Sequence, residues 1–265
     1  MSELPFVLIT TASVVLACVF VLWVISVAIK NASIIDIFWG PGFAIIAWVA
    51  WAFSDGDELR KFVLAGLTSL WAARLGIYLA IRNLGHGEDP RYQAMRRRAE
   101  KNGKNFGLRS LLSIFVLQAV LMWFISLPIQ IGQMYQTPPA FGWVAIIGII
   151  LFAIGFLFEA LGDWQLRVFK ANPNNNGKVM DTGLWRYTRH PNYFGNACLW
   201  WGLYLIASEN MAGALTIASP VFMTFLLLKV SGVSLLEKSL TQTKPQYADY
   251  VQKTNAFFPG PPKAN

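Results

Sequence analysis

The chain has 265 residues, of which 55% are hydrophobic and 14% charged, with 22 Lys+Arg against 14 Asp+Glu. A soluble domain carries roughly 25% charged residues, so this composition excludes an ordinary soluble enzyme and points to a polytopic membrane protein. The formal net charge of +8 suits anionic head groups or an anionic ligand. The basic residues lie close to apolar runs, which argues against nucleic acid as the partner.

A membrane-crossing helix needs about 20 mostly apolar residues. Seven runs qualify or nearly do: 5–29, 34–53, 62–82, 109–132, 140–161, 192–208 and 211–231. The expected fold is an all-α, seven-transmembrane helix bundle forming a single membrane domain over 1–265. Cys18 and Cys198 sit inside apolar runs and read as small buried hydrophobes. The sixth run is short, and the seventh contains Pro220, which membrane helices tolerate when neighbours satisfy the freed carbonyl. The basic loops after the third and fifth runs and the basic C-terminal tail fall on one side of such a bundle. The positive-inside rule then places the N-terminus outside and the C-terminus in the cytoplasm.

Polar side chains interrupt these runs. Asp36 begins the second, Arg74 lies in the third, Gln118 in the fourth and Glu159 near the end of the fifth. A charge at the bilayer centre costs roughly 2.5–3.5 kcal/mol on insertion scales. Such residues pair structurally, as Arg74 could with Glu159 or Asp36, or they line an interior pocket. The turn Arg82-Asn83-Leu84-Gly85-His86-Gly87-Glu88-Asp89-Pro90-Arg91-Tyr92 reads as a structured loop. Its acids are expected to cap a helix and to pair with the adjacent arginines, and no metal-ligand spacing is present.

The fifth run continues as a polar helix, with Glu159, Asp163 and Arg167 four apart on one face and Lys170 close to it. It is expected to stop at Ala171-Asn172-Pro173-Asn174-Asn175-Asn176-Gly177, a helix-breaking stretch. The stretch Gly183-Leu184-Trp185-Arg186-Tyr187-Thr188-Arg189-His190-Pro191-Asn192-Tyr193-Phe194-Gly195 follows. Pro191 suits the first turn of a helix. The free N–H groups there, beside Arg186, Arg189 and His190, make either an anion site or a basic membrane anchor. Neither a GxxxxGK[ST] loop nor a GxGxxG turn between strand and helix is present, so a nucleotide would not sit in a Rossmann fold.

Gly183 to Gly195, with Gly162-Asp163-Trp164-Gln165-Leu166 and the C-terminal Ser231-Gly232-Val233-Ser234-Leu235-Leu236-Glu237-Lys238, resembles the bacterial branch of the steroid 5α-reductase family. Membrane sterol reductases and isoprenylcysteine carboxyl methyltransferases share a related C-terminal half. The third run with Arg74, the Arg82–Asn83 turn, and the ending from Tyr247 to Pro259 add to the likeness. The resemblance implies NADPH in the cytoplasmic half of the bundle and a 3-oxo-Δ4 steroid or similar lipid enone entering from the lipid side. On that likeness Asp163, Arg167 and Lys170 form the ledge on span five, and Asn192, Tyr193 and Trp200 lie near the cofactor. Arg74, Asn83, Arg91 and Lys178 are further implied cofactor residues, as are Arg186, Tyr187, Arg189, His190 and Glu237. Glu159 matches a polar position near the nicotinamide, and Trp39 and Trp71 are implied at the substrate. The chain departs from the family in lacking its Gln-Glu pair on span two, in having Trp71 where animal enzymes have a catalytic Tyr, and in having Asn196 after Gly195 where Glu is frequent.

Reduction of an enone needs a held hydride donor, a hydrogen-bond donor to the carbonyl and a proton source. Asp36, protonated in an apolar pocket, is the expected carbonyl donor. The basic loops would balance the phosphates of NADPH, whereas S-adenosylmethionine has no phosphates. An S-adenosylmethionine-dependent methyltransferase and a non-enzymatic lipid-binding protein are the competing readings. For a bacterial chain the membrane would be the inner one.

Overall fold

The computed structural model describes residues 3–230 and 232–263, with side chains described throughout except at 234, 235, 238 and 239. Ser231, the end of the seventh predicted span, and the side chains of Ser234, Leu235 and Lys238 therefore lie outside the described residues. Among the described residues the chain is all-helical. In order, it forms α1 (Glu3–Ala28), α2 (Ile34–Ala52), α3 (Glu58–Asn83), α4 (Pro90–Lys101) and α5 (Phe106–Ser110). A π-helical segment, Leu111–Val116, joins α5 to α6 (Leu117–Ile125), and α7 (Leu127–Gly132) follows. Then come α8 (Trp143–Ala171), α9 (Pro191–Ala207), α10 (Met211–Ala214), α11 (Ala218–Phe225), α12 (Val233–Thr243) and α13 (Tyr247–Lys253).

Six stretches among the described residues are long and apolar enough to cross a membrane: α1, α2, α3, Phe106–Ile125, α8 and Met211–Val230. The predicted sixth span is α9, which has 17 residues. At 1.5 Å per residue α9 rises about 26 Å, short of a hydrocarbon core about 30 Å thick. The predicted fourth span does not run unbroken to 132, because the helix ends at Ile125 and restarts with Pro128 in the first turn of α7. As expected, α8 continues past its apolar part and stops at Ala171, with Asn172 as its C-cap.

The chain divides into two compact units, one of residues Met1–Phe141 with Asn210–Thr216, the other of Gly142–Glu209 with Ile217–Asn265. In the first, α1 buries Val7, Thr11, Val15 and Val19, a stripe four residues apart, while Phe6, Ile9, Phe20 and Val24 are exposed. A helix that is apolar all round and buried on only one stripe has faces suited to lipid rather than water. Small residues bring α2 against α3. A Cβ added at Gly40 would lie 2.6 Å from the carbonyl oxygen of Ala72, and one at Gly76 would lie 3.2 Å from the Pro41 ring.

The second unit is built on α8 packed against α9. Gly148, Gly155 and Gly162 repeat every seven residues along α8, and Gly195 and Gly202 do so along α9. A Cβ at Gly155 would lie 2.5 Å from the carbonyl oxygen of Gly195, and one at Gly202 would lie 2.6 Å from that of Gly148. In lipid the hydrophobic effect does not drive helices together, and close backbone approach over small residues does.

Candidate functional site

The seam between α8 and α9 changes character toward the Ala171 end of α8. Glu159 and Asp163 on α8 are each 5% exposed, and Asn196 on α9 is 6% exposed. Asn192 Nδ2 donates to Asp163 Oδ1 at 2.9 Å, and Asn196 Nδ2 donates to Glu159 Oε2 at 3.3 Å. Both pairs follow from spacing: acids at i and i+4 on one helix face amides at i and i+4 on its antiparallel neighbour. The Asn196 Oδ1 atom is buried without a hydrogen-bond partner. An orphaned buried carbonyl costs on the order of 1–3 kcal/mol, and a polar ligand group would recover it. Trp200, one turn beyond Asn196, is fully buried.

The Gly183–Gly195 stretch is held from both sides. Gly183 takes the left-handed conformation (φ 61°), with Gln165 packed against it. Gln165 Oε1 accepts from the Leu184 amide at 3.0 Å, and Trp185 Nε1 donates to the Gly162 carbonyl at 3.1 Å. On the other side Tyr250 O–H donates to the Trp185 carbonyl, Thr188 Oγ1 to that of Phe257 and Gly260 N–H to that of Tyr187. Pro191 stands in the first turn of α9, as its missing N–H favours. The Tyr193 amide is taken by the Asn192 side chain at 3.0 Å.

Arg189 and His190 are buried rather than presented to a ligand. Arg189 Nε donates to Glu237 Oε1 at 2.7 Å, and its Nη1 donates to the carbonyls of Thr254 (2.7 Å) and Val251 (3.1 Å). His190 Nε2 lies 3.2 Å from the same Glu237 oxygen, and its ring stacks on Tyr193 with centroids 5.7 Å apart. Burial pushes the Glu237 carboxyl up, but the hydrogen bonds from Arg189 and His190 outweigh it and hold the group below the usual carboxylate range. Burial lowers His190, against the pull of Glu237, so the neutral ring with its proton on Nε2 fits this geometry. Burial, then the Glu237 charge, pushes the Tyr247 phenol up to about 12. By contrast Arg167, Lys170, Lys178, Arg186 and Tyr187 are exposed. Lys178 also lends its carbonyl to the Lys244 ammonium.

The arrangement has a pH consequence. Below the ordinary value of 6.5 an unfolded His190 takes up a proton that the buried ring resists. Below 4.5 an unfolded Glu237 is protonated while the folded carboxylate stays ionised. In both windows the unfolded chain binds more protons, so stability present at neutral pH is lost on acidification. Thermal melting between about pH 7 and pH 5 should fall for the wild type and fall less for His190→Gln. Parallel slopes would remove His190 from this role.

The first unit holds a separate polar cluster. Asp36 accepts from Arg91 Nη2 at 2.8 Å and from the Tyr92 phenol at 2.7 Å, and Gln118 Nε2 approaches that phenol at 3.4 Å. Asp36 therefore does not stand alone in an apolar pocket, as the sequence reading expected. The loop before α4 brings a guanidinium and a phenol onto it. The loop itself behaves as its composition requires. Gly85 and Gly87 take φ of 82° and 76°, Asp89 caps α4 through the Arg91 amide, and Glu88 pairs with Arg96 at 2.8 Å. Glu88 Oε1 also accepts from the Ala32 amide, which fastens the loop to the α1–α2 turn. Burial, then the Asp36 charge, raises the Tyr92 phenol, which keeps it protonated. Arg74 lies with its guanidinium 5.3 Å from the Tyr78 ring. Asn83 ends α3, and its Oδ1 accepts from Arg82 Nε at 3.0 Å. Fully buried Trp71 meets Phe43 edge-on at 5.5 Å, and Phe43 meets Trp39 at 5.6 Å, so the two expected substrate tryptophans belong to one aromatic row.

The expected site residues thus divide between the units. Asp36, Trp39, Trp71, Arg74, Asn83 and Arg91 are in the first, and all those from Glu159 onward are in the second. Sequence reasoning passed over Tyr92 and gave Asn196 no role. The i, i+4 spacing of Asn192 and Asn196, matching that of Glu159 and Asp163, was the available signal for the latter.

Over residues 22–254 the chain matches the family described as "Protein of unknown function (DUF1295)" and belongs to it. That family includes steroid 5-alpha reductase-like proteins. An uncharacterized protein of Schizosaccharomyces pombe is 28% identical over 271 residues, covering 90% of this chain and 76% of its own length. A probable O-methyltransferase of Ustilaginoidea virens is 38% identical over 71 residues, covering 27% of this chain and 25% of the relative. No solved structure matches the chain.

Proposed function

We propose that this chain is a multi-pass membrane reductase that uses NADPH to reduce the C4–C5 double bond of a 3-oxo-Δ4 steroid or a similar lipid enone. The observation that carries this reading is the double rung Asp163–Asn192 and Glu159–Asn196, three buried polar groups and one half-buried one on an otherwise glycine-packed apolar helix pair. Polarity of that density is costly inside a membrane and is kept where a site needs it. The orphaned Asn196 Oδ1 fits an amide donor such as the carboxamide of a nicotinamide. Exposed Arg167, Lys170 and Arg186 in the same unit suit phosphates. NADPH, when bound, supplies the hydride. Asn192 and Asn196 would orient the ring, with Asp163 and Glu159 fixing those amides through their hydrogen bonds.

In the first unit Asp36 is held by Arg91 and by the Tyr92 phenol, which gives its one O–H proton to Asp36. In this reading α9 completes seven spans, with the N-terminus outside and the basic loops cytoplasmic, in the inner membrane if the chain is bacterial.

A methyltransferase acting on a lipid or prenylated thiol is the second reading, favoured by the 71-residue match to a probable O-methyltransferase. Thermal melting of the purified chain with NADPH and, separately, S-adenosylmethionine discriminates the two. Stabilisation by NADPH alone is expected, and Asn196→Leu should abolish it. Stabilisation by S-adenosylmethionine alone would overturn the reductase in favour of the methyltransferase. Stabilisation by neither would favour a lipid-binding protein without catalysis.

A further inference from the structure

A cleft of about 430 Å³ opens in the first unit where α4 ends and α5 begins. Arg98, Lys104 and Arg109 line it, together with the polar side chains of Asn102 and Ser113. All five are exposed. The neighbouring cations are already engaged: Arg96 pairs with Glu88, and Arg91 with Asp36 and Asp89. Arg98, Lys104 and Arg109 make no ion pair among the described residues.

The walls are fixed. Arg96 lies over the Phe106 ring at 4.3 Å, the Trp23 indole donates to the Gly107 carbonyl at 2.8 Å, and the Asn105 side chain caps α5 through the Leu108 amide. Phe106 is also the first residue of a stretch able to cross a membrane. Leu108 and Leu112, at 66% and 71% exposure, stand beside Arg109 and Ser113 along that stretch. Three uncompensated cations therefore meet exposed leucines where an apolar span begins, which is the depth of a lipid head group. The volume lies in the ~300–1,000 Å³ range of organic ligand sites, more than one inorganic ion fills.

We propose that this cleft binds the phosphodiester head group of an anionic phospholipid, with its acyl chains lying along Leu108 and Leu112. Arg98 and Arg109 supply planar guanidinium forks for phosphate oxygens, Lys104 adds a point charge, and Asn102 and Ser113 meet head-group hydroxyls.

The test uses the whole chain in phosphatidylcholine nanodiscs doped with increasing phosphatidylglycerol, followed by thermal melting. Saturable stabilisation by phosphatidylglycerol is expected. The combined variant Arg98→Gln, Lys104→Gln, Arg109→Gln should raise the half-saturating fraction about tenfold or more. Ser113→Trp, which fills the cleft and keeps the charge, should lose the stabilisation too and serves if the triple variant does not fold. Wild-type binding by either variant would overturn the proposal. So would an equal loss in Lys101→Gln, a basic neighbour outside the cleft, because the effect would then be diffuse charge. Stabilisation by inorganic phosphate equal to that by phosphatidylglycerol would make this a small-anion site and overturn the lipid assignment.

Discussion

Gly155→Leu and Gly195→Leu are expected to unfold the second unit. A Cβ at either position lands 2.5 Å from the carbonyl oxygen of the other helix, and the Gly195 Cβ also lands 2.5 Å from the Glu159 amide. Neither obstacle is a flexible side chain, so the helices must separate. Overpacking costs typically 1–3 kcal/mol and more where backbone blocks relaxation. Separation would also break the Asp163–Asn192 and Glu159–Asn196 pairs, since these lie on the same seam. The control is Gly66→Ala on α3, where an added Cβ meets nothing within 4 Å. That change should be neutral or stabilise by up to about 1 kcal/mol through helix propensity. Melting of the three variants in one detergent decides the matter. Equal melting temperatures for wild type and Gly155→Leu would show that the glycine repeat does not set the packing.

Arg189→Met is the second change with a large expected effect, and it separates a structural from a ligand-binding arginine. The guanidinium is buried and joins Glu237 on α12 to the carbonyls of Val251 and Thr254 at the end of α13. Removing it leaves two carbonyls without their donor and Glu237 with His190 alone; breaking a fully buried pair costs about 3–5 kcal/mol, and the half-buried Glu237 places this change toward or below the lower end. Arg189→Lys should rescue little, because one ammonium cannot reproduce the fork. The C-terminal segment from α12 onward should then become sensitive to limited proteolysis at temperatures where the wild type resists. An Arg189→Met chain with unchanged melting and proteolysis, and weakened NADPH-dependent stabilisation, would instead return Arg189 to direct cofactor binding.

Much of the second unit was legible in the chain. The i, i+4 acids of α8, the breaker at 171–177 and Pro191 at the first turn of α9 are local signals, and local hydrogen bonding and backbone geometry answer to them. The same holds for the loop at 84–90, whose glycines, capping Asp89 and adjacent arginines fix its conformation within a few residues. The glycine repeat was equally present in the sequence, and its meaning needed only the seven-residue period to be noticed.

What was not legible is pairing across the fold. Nothing local distinguishes Arg189, which turns inward onto Glu237, from Arg186 three residues earlier, which stays exposed. Nor could spacing reveal that Asp36 receives Arg91 and Tyr92 from 55 and 56 residues away. By itself the sequence determined the helical content, the apolar stretches, the helix ends and the basic character of the loops, because each depends on neighbours within a turn or two. Tertiary structure decided which charges are paired in the interior and which stay exposed. A charge's partner is set by the approach of distant helices, and burial then makes that choice costly to reverse.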